Sequence, residues 1–303
     1  FALLREIIRA LEGAKGLIAV AVHENPDGDA VGSGLALYRF LRKKGKEAVP
    51  VCVSPIPEIY DFLAGYEDFV REIPAEAKLL VLLDSTDPKR AGFRWEGDFI
   101  RIDHHRGGEF PSLCLVDVSA PSTGDVVLDL LRAWDPSAID SEVASALYTA
   151  LLTDTLRFTT RVSKRAFEDA AFLVERGADP ARIADLVYRR RRPSQLCLTA
   201  KALGSLQVEA EGRIAYLVVR LEDLASCGAE PWEAENLVDY PLSLKGVLVA
   251  LKFQESRKLW RVSIRSKPPA SAERIARALG GGGHAHAATE GSRYPLSGGR
   301  GLA

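Results

Sequence analysis

Residues 23–29, His-Glu-Asn-Pro-Asp-Gly-Asp, place an imidazole (His23) and two carboxylates (Asp27, Asp29) directly behind an apolar run at 16–22. Two further apolar runs stop on the same kinds of residue: LLVLLDSTD delivers Asp84, and DFIRIDHH delivers Asp103, His104 and His105. Asp154, closing SALYTALLTDT, is a fourth contributor. Carboxylates mixed with imidazoles and no thiolate favour a hard or borderline divalent cation such as Mn2+ or Mg2+ over structural zinc. A lone buried histidine is more often a hydrogen-bonded core residue than a ligand. Here all five histidines (His23, His104, His105, His284, His286) fall in a few short motifs, so ligation is the stronger reading for the set at the ends of the apolar runs. That many donors exceed the needs of one cation. Two ions about 3.5–4 Å apart, bridged by a carboxylate, would use them and would hold a hydroxide for in-line attack on phosphorus. Asp84, alone between the other two clusters, is the natural bridge. NPDGD is also good turn chemistry; both readings hold together if Pro26 and Gly28 shape the loop that aims Asp27 and Asp29, with Asp29 also capping a helix that starts at Ala30.

For such groups to meet, the runs that carry them must be neighbouring strands. Residues 16–23, EAVPVCV (47–53), AKLLVLLDSTD (77–87) and DFIRIDHH (98–105) read as strands, largely continuous apolar runs, and DAVGSGLALYRFLRKKGKEA reads as a helix with Val31, Leu35, Leu37, Phe40 and Leu41 roughly on one stripe. Strands of this kind alternating with helices indicate an α/β fold with a parallel sheet covered on both faces. Ligands then gather at the carboxyl ends of the strands. From residue 121 the pattern turns helical: STGDVVLDLLRAWD opens on a Ser/Thr cap, DSEVASALYTALLTDT on Asp140 or Ser141, and further helices cover about 163–176 and 180–190. YRRRRPSQLCL (188–198), a basic run broken by Pro193, is the expected link to a smaller α/β domain with strands in GRIAYLVVRLEDL, KGVLVALKFQES and LWRVSIRSK and a helix in SAERIARALGGGG. The division is 1–187, linker 188–199, and 200–303. The arginines at 189–192 are either a solvated helix end or a basic rim that steers anions.

Composition narrows the function classes. The chain has 303 residues, 47% hydrophobic, enough for two cores. No run approaches the roughly 18–20 apolar residues needed to span a bilayer, and FALLREIIRALEGAKG is an amphipathic helix rather than a signal peptide, so a cytoplasmic address and no membrane partner are expected. Cys52, Cys114, Cys197 and Cys227 contain no C-x-x-C pair and are expected to be reduced, buried thiols. A net charge of −1 argues against broad capture of long nucleic acid, though not against a small basic pocket for a short phosphorylated ligand.

At HENPDGDA, LLDSTD, IDHH and LLTDT the sequence closely resembles the DHH phosphoesterase superfamily, and GGGHAHAA (281–288), preceded by VSIRSK, resembles its DHHA1 substrate-binding domain. The resemblance implies one metal on His23, Asp27 and Asp84 and a second on Asp29, Asp84, His104 and Asp154. His105 would face the substrate phosphate or leaving group, with Asp103 orienting the histidines from behind. Arg265, Gly281, Gly282, Gly283, His284 and His286 would contact substrate. A glycine run can bring backbone N–H groups close to an anion, and arginine offers a bidentate fork to phosphate. The implied cofactor is a pair of Mn2+ ions, with Mg2+ or Co2+ as substitutes.

The plan of one catalytic and one DHHA1 domain resembles the stand-alone oligoribonucleases (nanoRNases). These hydrolyse short single-stranded RNA to mononucleotides and often dephosphorylate 3′-phosphoadenosine 5′-phosphate. Manganese pyrophosphatases lack the GGGH motif, and RecJ-type exonucleases usually carry an added nucleic-acid-binding fold. Cyclic-di-AMP or pApA phosphodiesterases share the plan, and a catalytically silent nucleotide-binding regulator is the other alternative. Against silence, His23, Asp27, Asp29, Asp84, His104 and Asp154 are all present. Homodimers are common in the family. The chain departs from the family pattern at Thr289, where glycine is usual, and in TLRFTTRVSKRAF, which is short against Asp-Thr-Gly-x-Phe.

Overall fold

The computed structural model describes residues 2–257, 259–279, 282–283 and 287–292, the last two stretches as backbone. The chain divides into two compact units, Phe1–Arg190 and Arg191–Ala303.

In the first unit, β1 (Leu17–Ala21), β2 (Ala48–Val51), β3 (Ala77–Leu83), β4 (Ile100–Asp103) and β5 (Leu113–Val116) form an all-parallel sheet in the order β2-β1-β3-β4-β5. The order reverses between β1 and β3, which opens a crevice at their carboxyl ends. Ile18, Val20, Val22, Val81, Leu83, Ile100 and Ile102 face a core shared with α1 (Ala2–Gly13), α2 (Gly28–Lys43), α3 (Thr123–Trp134) and α4 (Ser141–Asp154). The other face is covered too, but without helices: Ala19, Ala21, Leu80 and Leu82 pack under Ala91, Phe93 and Phe99 from irregular chain. β5 was not expected from the sequence, because its residues are only half-buried at the sheet edge and its pattern is correspondingly weak.

The expected stripe on α2 is buried, and so is most of the rest of the helix, because α4 lies against it. Gly28 and Gly32 permit this approach: a Cβ on Gly32 would stand 2.4 Å from the carbonyl oxygen of Ala146, and one on Gly28 would meet the Thr153 side chain. Ser122 caps α3 and Asp140 caps α4. After α4 come α5 (Lys164–Glu175) and α6 (Pro180–Tyr188).

The second unit holds a six-stranded mixed sheet in the order β10-β11-β9-β8-β7-β6, built from β6 (Gln207–Glu209), β7 (Ile214–Val219), β8 (Val249–Glu255), β9 (Trp260–Ser266), β10 (Gly282–Gly283) and β11 (Ala287–Ser292). It also contains α7 (Pro193–Gly204), α8 (Leu221–Cys227), α9 (Asp239–Leu242) and α10 (Ala272–Ala278). Two expectations are corrected here. Residues 193–199 are not linker but the opening turns of α7, since Pro193 occupies the first turn, where its missing N–H is no loss. Cys197 and Cys227 are not free thiols: α7 and α8 bring their Cα atoms to 5.7 Å and they form a disulfide, while Cys52 and Cys114 stay free. A pair thirty positions apart leaves no local spacing to read. Closing a loop of that length is worth roughly 3–4 kcal/mol in the chain-entropy account. Reductant is therefore expected to lower the unfolding free energy of this unit by that amount, and thiol titration of the unreduced, unfolded chain should count only Cys52 and Cys114.

Among the described residues no helix is long and apolar enough to cross a membrane.

Candidate metal centre

His23 follows β1, and its Nδ1 donates to the carbonyl of Glu24 at 2.8 Å, so Nε2 faces Asp84 Oδ2 at 3.5 Å. Asp27, not Asp29, is the N-cap of α2; its Oδ1 accepts from the amides of Asp29 and Ala30, both at 3.0 Å. The helix begins one residue beyond Asp27, which puts Asp29 in the first turn with its carboxylate turned inward. There Asp29 accepts from the amides of Thr123 at 2.7 Å and Gly124 at 2.9 Å.

Asp84 closes β3 with φ of 53°, a left-handed backbone that a non-glycine residue keeps only where its surroundings hold it. Its Oδ1 accepts from the Thr123 hydroxyl at 2.8 Å. Asp103, at the end of β4, is fully buried and saturated. Oδ1 accepts the amides of His104 and His105 and the His105 Nδ1–H at 2.7–2.9 Å, while Oδ2 accepts from Arg101. Because a carboxylate only accepts, His105 must carry its proton on Nδ1, which turns Nε2 away from Asp103. Arg101 itself has no exposed surface and also donates to the carbonyls of His105, Gly107 and Glu109, fixing the loop that presents the histidines.

His104 is the meeting point of the site. Its Nδ1 lies 3.3 Å from the Ala120 carbonyl, and its Nε2 faces Asp29 at 3.6 Å, Asp154 at 3.6 Å and Asp84 at 3.8 Å. Donors each about 2.1 Å from a shared cation stand about 3–3.6 Å apart, so this spacing is near that of ligands around an ion. Among the described residues the potential ligand atoms fall into three groups, each within 4.8 Å: His23, Asp27 and Asp84; Asp29, His104 and Asp154; and Asp84, His104 and His105. Asp154 supplies a further sign. Its Oδ1 pairs with Arg161 at 2.9 Å, yet its Oδ2 is buried with no hydrogen-bond partner. A buried carboxylate oxygen left this way is costly unless something positive completes it. The donor set thus fits a hard divalent cation.

Charge bears this out. Burial together with the neighbouring carboxylates raises Asp154 to about 8 against the opposing pull of Arg161, and the same two causes lift Asp29 well above the usual range. Burial disfavours the His23 cation, but the hydrogen bond to Asp84 and the charges of Asp27 and Asp84 prevail and push it up to about 10. Asp84 stays low in spite of its burial, because the three imidazoles surround it. A cation needs His23, Asp29 and Asp154 unprotonated, so its uptake must release protons. Affinity for Mn2+ is therefore expected to rise steadily between about pH 6 and pH 9. Calorimetric titrations in buffers of different ionisation enthalpy will read the protons released; a pH-independent affinity with none released would contradict this.

The structure thus brings together His23, Asp27, Asp29, Asp84, Asp103, His104, His105 and Asp154. Sequence reasoning missed Arg101, a lone charge in an apolar strand and in hindsight a request for a buried partner, and it read Thr123 only as part of a helix cap. After Asp154 the chain takes left-handed φ at Leu156, Arg157 and Phe158, where the family pattern carries a glycine. In the second unit, Arg265 on β9 pairs with Asp239 at 3.8 Å and stands opposite Ala287 of β11. Gly282 and Gly283 form β10 on the far side of β11. Gly281, His284 and His286 lie outside the described residues. Of the basic run, Arg190 is held in the first unit by a two-pronged pair with Asp61.

A parallel sheet whose switch point gathers acids and imidazoles defines a class. The chain belongs to the DHH family of phosphoester hydrolases, whose N-terminal domain matches residues 17–151. It is 35% identical over 294 residues to the bifunctional oligoribonuclease and PAP phosphatase NrnA of Thermus thermophilus, covering 94% of this chain and 86% of that protein. It is 25% identical to the cyclic-di-AMP phosphodiesterase PdeA of Listeria monocytogenes across 90% of this chain but 44% of that protein. Among solved structures, an exopolyphosphatase-related protein from Bacteroides fragilis superimposes with a TM-score of 0.89 at 25% identity, covering 97% of this chain and 92% of the other.

Proposed function

We propose that the chain is a divalent-metal phosphoesterase that hydrolyses short oligoribonucleotides to mononucleotides and also removes phosphate from 3′-phosphoadenosine 5′-phosphate. The observation that carries the reading is the convergence of His23, Asp27, Asp29, Asp84, His104 and Asp154 at the sheet's switch point. The choice of substrate is supported by the likeness to NrnA along nearly the whole of both chains.

In this reading one ion would be held by His23, Asp27 and Asp84 and a second by Asp29, Asp84, His104 and Asp154, with Mn2+ or Mg2+ best suited to such donors. When bound, the ions supply Lewis-acid stabilisation of phosphoryl charge and ionise water near neutral pH. The protein's own residues do the rest. Asp84, in reach of both groups, keeps the two halves of the centre in register. Asp103 locks His105 with its proton on Nδ1 and stabilises the imidazolium, so His105 Nε2–H can hydrogen-bond a phosphoryl oxygen or protonate the departing ribose oxygen. Arg161 balances Asp154 from the rim. Arg265 and the glycine segment that includes Gly282 and Gly283 bind substrate phosphate and base. Short RNA and nucleoside bisphosphates are intracellular molecules, so the reading carries a cytoplasmic address.

The test is a single panel: purified protein with Mn2+, offered separately a diribonucleotide, a pentaribonucleotide, 3′-phosphoadenosine 5′-phosphate, cyclic-di-AMP and pyrophosphate. Fastest turnover of the short RNAs, with release of phosphate from the bisphosphate, is the expected ranking. Cyclic-di-AMP turned over ahead of both would replace this reading with that of a cyclic-dinucleotide phosphodiesterase.

A further inference from the structure

We propose that Thr123 is a positioning residue of the metal centre: at the start of α3 its hydroxyl and amide hold Asp84 and Asp29, and thereby set the affinity for the cation. The inference rests on the proposed metal centre and adds a residue to it.

Ser122 and Thr123 together look like a redundant helix cap, but they divide two tasks. Ser122 does the capping: its hydroxyl oxygen accepts from the amide of Asp125 at 3.2 Å while its O–H donates to Asp125 Oδ2 at 2.6 Å. This leaves the Thr123 hydroxyl free of any capping duty, and it donates instead to Asp84 Oδ1 at 2.8 Å. The first amides of a helix have no partner within it, and here those of Thr123 and Gly124 each take one oxygen of Asp29. Asp29 and Asp84 are 55 residues apart in sequence (84 − 29) and come from different elements, yet one short segment bonds both.

Burial makes the arrangement exacting. Thr123 has no exposed surface, and Asp29 and Asp84 are 1% and 5% exposed, so water cannot substitute for a lost donor. The segment itself cannot drift, because a Cβ on Gly124 would already stand 2.5 Å from that of Ala150 in α4, the helix that ends in Asp154. Asp84 also sits on a left-handed backbone, so the direction of its carboxylate is fixed by side-chain partners more than by the strand. A hydroxyl on Oδ1 occupies one lone pair and leaves the others open to a cation, in the way outer partners commonly orient metal ligands.

Thr123→Val keeps the volume and removes only the hydroxyl; Thr123→Ser keeps the hydroxyl and removes only a methyl. Mn2+ binding to the full chain, followed by electron paramagnetic resonance of the free ion, is expected to weaken about 10–100-fold in Thr123→Val and to stay within about threefold of the unaltered chain in Thr123→Ser. Uptake by Thr123→Val equal to that of the unaltered chain would overturn the proposal. So would equal losses in both variants, which would assign the effect to packing. If Thr123→Val does not fold, Thr123→Ser decides: near-normal affinity supports the hydroxyl's role and a large loss overturns it. An unaltered chain that takes up no Mn2+ would sink the metal centre itself, an outcome distinct from normal uptake by Thr123→Val.

Discussion

Asp84→Asn is expected to lower kcat/KM by about 10³-fold or more, equivalent to at least about 4 kcal/mol of transition-state stabilisation, and to make the metal-free protein less stable. Among the described residues Asp84 is the carboxylate grouped with both the His23–Asp27 pair and the His104–His105 pair, so replacing it weakens both halves of the centre at once. Without a cation, burial works against the Asp84 charge, but the hydrogen bond to His23 and the charges of the surrounding imidazoles prevail and hold it well below the usual carboxylate range, so the folded state gains from that charge. Removing that charge takes the partner from His23, although the amide oxygen can still accept from Thr123. Loss of activity together with a lowered melting temperature of the metal-free protein is the expected pair of results. Activity within tenfold of the unaltered enzyme would refute the shared-ligand role.

Gly32→Ala tests how the helices bring Asp154 to the site. The added methyl would stand 2.4 Å from the Ala146 carbonyl and 2.9 Å from the Ala150 amide, both backbone atoms that cannot rotate away. Overpacking of this kind costs about 1–3 kcal/mol or more, and the helix propensity of alanine returns up to about 1 kcal/mol. A net loss of about 2 kcal/mol, or a fall in melting temperature of several degrees, is expected. Because the strain is relieved by moving α4 away from α2, Mn2+ affinity should fall as well. Gly13→Ala is the control: nothing lies within 4 Å of the position, so stability should not fall and Mn2+ affinity should not move.

Much of this protein was legible in the residues themselves. The ends of β1, β3 and β4 carried acids and imidazoles behind apolar runs, and a parallel sheet must collect such ends along one edge, so the position of the site followed from local patterns alone. Asp154 was legible for the same reason, as the last polar residue of an apolar helix. The face of the sheet under Phe93 and Phe99 was less so, because irregular chain has no period to read.

What the tertiary structure decided is how each group is held. Local sequence assigned the helix cap to Asp29, but the chain uses Asp27 and turns Asp29 toward the amides of Thr123 and Gly124, contributed by chain more than ninety residues away. Arg101 finds its meaning only when β4 packs and all its donors are buried. Cys197 and Cys227 pair only because α7 and α8 fold side by side. In each case the residue types were on view from the start. Partner choice was not, because hydrogen bonds and disulfides between distant segments depend on distances that exist only after the core has closed.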